Sequence, residues 1–151
     1  MFNVKQLTYG SDKNEFNWFG YYDIKKFNFT SDKIIFNKIN FQGRFGKEKE
    51  YIDIYVYDLN KEEKIFISKS YAWSWQQASM TQWIPNKNKI IFNDIENKKI
   101  ISKIYNLDTK EITIINSSIY CIHPSGLYSL TTDFARLKDV RPDYGYHNII
   151  D

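Results

Sequence analysis

Apolar positions in this chain fall in short runs closed by turn-forming residues, with no helical spacing sustained over many turns. Lys89-Ile90-Ile91-Phe92-Asn93 follows Pro85-Asn86-Lys87-Asn88, and residues 94–98 return the chain to a second apolar stretch at 99–107. Asp108-Thr109-Lys110 makes the next turn, and residues 111–115 supply another run. Short runs rich in β-branched and aromatic residues, bounded by Asn, Asp, Lys and Pro, predict strands. With an approach strand before Trp83, the stretch 76–115 predicts four short antiparallel strands in about 40 residues, the grammar of a β-propeller blade.

The same pattern is written more than once. Trp83-Ile84-Pro85-Asn86-Lys87-Asn88-Lys89-Ile90-Ile91-Phe92-Asn93 reads residue for residue against Phe27-Asn28-Phe29-Thr30-Ser31-Asp32-Lys33-Ile34-Ile35-Phe36-Asn37. A shorter third copy is Ile122-His123-Pro124-Ser125-Gly126-Leu127-Tyr128-Ser129-Leu130-Thr131. Repetition on this scale predicts an array in which each unit needs a neighbour to bury its apolar face. The expected fold is all-β: a single module over 1–151, a partial β-propeller of about two and a half four-stranded blades. Blade one spans about 16–68, blade two about 71–116, and the start of blade three about 117–151. Unit one is longer, with 21 positions from Phe36 to Tyr57 against 13 from Phe92 to Tyr105, and the surplus falls in a polar loop at 40–50. That loop is either a place for function or tolerated length. After Asp133 the third unit departs from the pattern, and a short helical turn around 135–139 is expected before a Pro-broken loop.

Two and a half blades do not close a ring of four to eight. The chain is therefore a piece of a longer propeller, an oligomer that completes one through its open blade edges, or an open sandwich; the first is the leading expectation.

Composition narrows the classes. At 151 residues, 42% hydrophobic and 26% charged, the chain has globular rather than disordered character. Aromatic residues at 18% favour pleated structure. The net charge of +3 carries no basic stripe, and no nucleic-acid partner is expected. No apolar run long enough for a membrane span occurs, and residues 1–10 lack a signal-peptide core, so no membrane partner and a cytoplasmic location are the default. The single cysteine, Cys121, excludes an internal disulfide and reads as a small core residue.

The Trp or aromatic residue, Pro, polar turn and apolar strand resemble the blade motif of TolB-type and oligogalacturonate-lyase-like propellers. Only the proline and turn survive in two copies, at Pro85 and Pro124. Phe19-Gly20-Tyr21-Tyr22-Asp23, Gln82-Trp83, Phe92-Asn93-Asp94, Asp133-Phe134-Ala135-Arg136-Leu137 and Arg141-Pro142-Asp143-Tyr144-Gly145-Tyr146 are similar to uncharacterised bacterial propeller proteins associated with surface polysaccharide. That resemblance implies further blades beyond this point and a link to carbohydrate. It implies no particular reaction.

The lyase relatives hold a divalent metal with several His and a Gln. Here there are two histidines, His123 and His147, so no metal site is expected, and nothing resembling a phosphate loop suggests a cofactor. The strongest candidate segment runs from 133 to 146. Two of the three arginines, Arg136 and Arg141, lie there among Asp133, Tyr144 and Tyr146. Guanidinium groups fork onto carboxylates and aromatic faces stack on sugar rings, a combination suited to an acidic saccharide. The alternative is structural, with Asp133 pairing with either arginine to pin a crossover. His123, before Pro124, either faces the channel of a propeller or satisfies its own turn. His147 is expected to be frayed. Tyr71, Trp73 and Trp75 alternate at period two and either bind sugar or pack between blades. The leading function is a binding module for an acidic saccharide or a protein partner. The alternative is the first part of a carbohydrate-active enzyme of lyase or hydrolase type.

Overall fold

The computed structural model describes residues 3–10 and 15–148. Positions 149–151, the end of the expected third unit, and Met1 and Phe2 lie outside the described residues. Among the described residues ten strands run in chain order: β1 (Phe16–Trp18), β2 (Lys33–Ile39), β3 (Ile52–Asp58), β4 (Glu63–Ser70), β5 (Gln82–Trp83), β6 (Lys89–Glu96), β7 (Lys99–Asn106), β8 (Ile112–Ile115), β9 (Cys121–Ile122) and β10 (Ser129–Leu130). One helix, α1 (Phe134–Val140), follows. They form two four-stranded antiparallel sheets, β1-β2-β3-β4 and β5-β6-β7-β8, and the hairpin β9-β10. The fold is mostly β, and each four-stranded sheet is a simple up-and-down meander.

The written repeat is a repeated turn. Asn28 N, Ile84 N and His123 N donate to the carbonyls of Lys33, Lys89 and Tyr128, five residues on, at 3.0, 2.9 and 2.9 Å. Inside each loop the carbonyls of Asn28, Ile84 and His123 accept from the N–H groups of Ser31, Lys87 and Gly126, at 3.1, 3.2 and 2.8 Å. The outer turns correspond as well: Leu59 N donates to Asp32 O at 2.8 Å, and Leu107 N to Asn88 O at 3.0 Å.

Alternation along the strands places the two sheets face to face. Ile35, Ile54, Val56 and Ile67 of the first sheet share one buried cluster with Trp83, Ile90 and Phe92 of the second. The intervening residues turn the other way: Ile34, Phe36 and Tyr57 pack with Leu7 on the far side of sheet one. Ile91 packs with Ile119, Phe134 and Tyr146 on the far side of sheet two. At about 25 cal/mol per Å² of apolar surface, side chains of this size are each worth roughly 1.5–3 kcal/mol when fully buried. Phe92, with no exposed surface, is therefore a major contributor.

Two features depart from the sequence reading. The first strand of unit one is split. β1 pairs with the far end of β2 (Trp18 opposite Asn37), whereas Phe27 bridges Ile34 at the near end, and residues 19–25 loop out between. The segment 71–81 is also no strand. Ser74 and Ala78 close a tight loop on each other at 3.1 and 2.8 Å, and Trp73 is buried with Ile39, Ile52 and Ala78. Trp75 packs edge-on against Trp73 with 5.5 Å between ring centroids, and Trp18 and Phe41 join the same cluster.

The long loop of unit one is pinned. Arg44 donates to both carboxylate oxygens of Glu50 at 2.7 Å, and the Arg44 guanidinium holds the Glu50 carboxyl down at about 2. His147 stacks on Phe45 at 3.9 Å and donates from Nε2 to the Pro142 carbonyl at 2.6 Å, so it is held in place where fraying was expected. No helix among the described residues is long and apolar enough to cross a membrane.

Candidate functional site

Two clefts lie side by side between the loop after β1, the segment around β5, the β9-β10 hairpin and α1. The inner one, of about 450 Å³, lies between Phe27 and Phe29 of unit one, Met80 and Trp83 of unit two, and Cys121 and Ile122 of unit three. The outer one, of about 440 Å³, is lined by Thr131, Thr132, Leu137, Arg141 and Tyr144. Tyr21, Gln77 and Tyr120 line both and form the wall between them.

The looped-out segment 19–25 brings Tyr21 to this wall. Its bend depends on Gly20, at φ +82°, where a Cβ would stand 3.1 Å from both the Gln77 carbonyl oxygen and Ala78 Cβ. Tyr21 and Tyr144 meet edge to face with centroids 5.7 Å apart and hydroxyls 3.3 Å apart. That hydroxyl contact is the main cause pushing the Tyr21 phenol well above its ordinary range. Arg141 lies 5.4 Å from the Tyr144 ring centroid. The outer cleft thus presents a guanidinium beside the Tyr144 ring.

Gln77 is the unusual member. It is 3% exposed, and its Oε1 is buried without a hydrogen-bond partner. Its backbone is fully engaged: N–H to Ser74 Oγ at 3.2 Å, and C=O from Met80 N at 3.1 Å. A buried amide left unpaired costs about 1–3 kcal/mol. The neighbouring Gln82 is different. Its amide donates to Met80 O and Tyr120 O at 2.9 and 3.2 Å and accepts from Ile122 N at 3.1 Å, clamping unit two to unit three.

The six residues singled out from sequence separate here. Arg141 and Tyr144 line the outer cleft. Asp133 caps α1, accepting from Arg136 N at 3.0 Å, and among the described residues it makes no ion pair with either arginine. Arg136 is exposed on α1 and lines neither cleft, although its neighbour Leu137 lines the outer one. Tyr146 has no exposed surface: it stacks on Phe134 with centroids 4.3 Å apart, and its hydroxyl accepts from Asn93 Nδ2 at 2.8 Å. It holds the core and lines neither cleft. His123 is exposed and takes the Ser125 N–H on Nδ1 at 3.1 Å, tying its own turn, while the adjacent Pro124 lines the inner cleft.

Sequence reasoning missed Tyr21, Gln77 and Tyr120. The first sits in the Phe19-Gly20-Tyr21-Tyr22-Asp23 run, which carried only a resemblance. Among the described residues no three His, Cys, Asp or Glu side chains converge to hold a metal ion. Compared with known proteins, the chain matches no family model, no curated protein and no solved structure.

Proposed function

We propose that this chain is a segment of a β-propeller that binds an acidic saccharide where its innermost strands converge. Two observations support the propeller. Each complete unit is a four-stranded meander, and the two sheets pack face to face with the same turn at the head of each unit and of the hairpin. The likeness of residues 19–23 and 133–146 to propeller proteins associated with surface polysaccharide supports the ligand class.

The observation that carries the binding reading is the outer cleft itself. Arg141 lines it together with Tyr21, Tyr120, Tyr144, Thr131 and Thr132, and its guanidinium lies 5.4 Å from the Tyr144 ring centroid. A guanidinium fork accepts a carboxylate through two parallel hydrogen bonds, and tyrosine faces accept the apolar side of a pyranose ring. Titration with trigalacturonate, followed by calorimetry, tests this reading. Arg141→Ala should weaken binding by at least about tenfold, since a charge-assisted pair is worth about 1.5–3 kcal/mol. Arg136→Ala, outside the cleft, should leave the affinity at the wild-type value. Equal losses from both would point to general charge attraction and remove the assignment of the cleft.

A further inference from the structure

The outer cleft does not end at its own wall. Tyr21, Gln77 and Tyr120 are shared with the inner cleft, so a molecule lying under Arg141 is one side chain away from a second chamber of similar size. The two chambers differ in chemistry. The outer one offers Arg141, Thr131 and Thr132. The inner one has the apolar and aromatic Phe27, Phe29, Met80 and Trp83 on its walls, beside the charged Asp23 and Lys25. Trp83 spends its indole N–H internally, on the Lys26 carbonyl at 2.8 Å. Between the chambers stands an amide that is almost completely buried and lacks a partner for its oxygen.

Resting on the reading above, we propose that the two chambers are consecutive subsites and that the ligand is an acidic oligosaccharide of at least two sugar units. The carboxylated unit lies under Arg141. The next unit enters the inner chamber with its apolar ring face on the aromatic wall, and its hydroxyl groups supply the hydrogen bonds that the Gln77 amide lacks. A hydroxyl both donates and accepts, so it satisfies this amide in either orientation. An apolar guest would leave the amide as it is, and a single sugar cannot occupy both chambers. Gln77 is thereby the group that reads ligand length.

The chain carries its own reporter for this. Cys121 is its only cysteine, is partly exposed and lines the inner chamber alone of the two. The experiment compares galacturonate with digalacturonate on the unmodified protein, measuring affinity by calorimetry and the rate of Cys121 modification by a thiol reagent. The dimer should bind about tenfold more tightly than the monomer and should slow Cys121 modification about fivefold, while the monomer leaves that rate unchanged. Gln77→Leu, close in volume, should cut dimer affinity about tenfold and restore Cys121 modification in its presence. If monomer and dimer bind equally and Cys121 reacts at its free rate with both, the two-subsite inference is overturned while the outer-cleft reading stands. If neither uronate binds, both fall together. The modification rates need no variant, so a folding defect in Gln77→Leu leaves the test intact.

Discussion

Asn37 and Asn93 hold the same place in the repeat, are both fully buried, and have very different work. Asn93 accepts from Ile119 N at 2.6 Å and donates to Ile119 O and Tyr146 Oη at 2.9 and 2.8 Å. Asn37 makes one long bond, Nδ2 to Trp18 O at 3.2 Å, and its Oδ1 is unpaired. Removing a buried partner costs more than the bond was worth, because the group left behind stays dry. Asn93→Leu should therefore cost about 3 kcal/mol in urea unfolding, and Asn37→Leu less than about 1 kcal/mol. Similar losses at the two sites would contradict this account. Lys26 makes a second argument at this scale. Burial outweighs the pull of nearby Asp23 and lowers its amine to about 8, below the value of about 10.4 expected in the unfolded chain. Between those values the unfolded state binds more protons than the folded one, so this residue makes stability rise with pH from about 8 to 10.4. Below pH 8 the full cost of the half-buried charge is present. Lys26→Met should raise stability at pH 7 by roughly 2 kcal/mol and flatten the rise. Melting temperatures measured from pH 6 to 10 would check both.

Strands and turns were legible wherever a local pattern dictates them. The runs after Asp32 and Asn88 are strands because apolar β-branched residues follow a loop whose polar residues satisfy its own backbone, and β2, β6, β7 and β8 fall where the alternation places them. The helix around Ala135 was legible from the break in the pattern, and Asp133 heads it as a cap instead of an ion-pair partner. What stayed hidden depends on contacts distant in sequence. Tyr71, Trp73 and Trp75 alternate like a strand, yet their backbone bends because Trp73 and Trp75 donate to the carbonyls of Glu50 and Arg44, at 3.1 and 2.5 Å, in the long loop of unit one. Tyr146 looked like a site residue beside Arg141 and Tyr144. Gly145 decides otherwise: a Cβ there would stand 2.2 Å from Lys138 N and Cα, so the chain passes tightly under α1 and carries Tyr146 into the core. The candidate cleft was half legible. Arg141 and Tyr144 announce themselves by type, whereas Tyr21 and Gln77 acquire meaning only once three units are brought side by side.

Across the whole molecule, the first sheet has no core of its own on the side that faces the second. Ile35, Ile54, Val56 and Ile67 are buried because Trp83, Ile90 and Phe92 lie against them, so neither unit can lose its partner and keep this face dry. The segment after α1 adds a second tie. Asn148 Nδ2 reaches the Glu50 carbonyl of the long loop at 3.0 Å, and the Tyr146 hydroxyl meets Asn93 in sheet two. Two units joined in this way should unfold as one. Phe92→Ala empties the shared cluster from the side of sheet two and should cost about 3–5 kcal/mol. The informative readout is where that cost appears. If the cluster couples the sheets, amide hydrogen exchange should quicken in β3, whose Ile54 and Val56 face the cavity, as much as in β6 and β7. If only β5 to β8 quicken while β3 keeps its wild-type protection, the sheets are separate folding units, and the clefts between them are set by loops instead of by a common core.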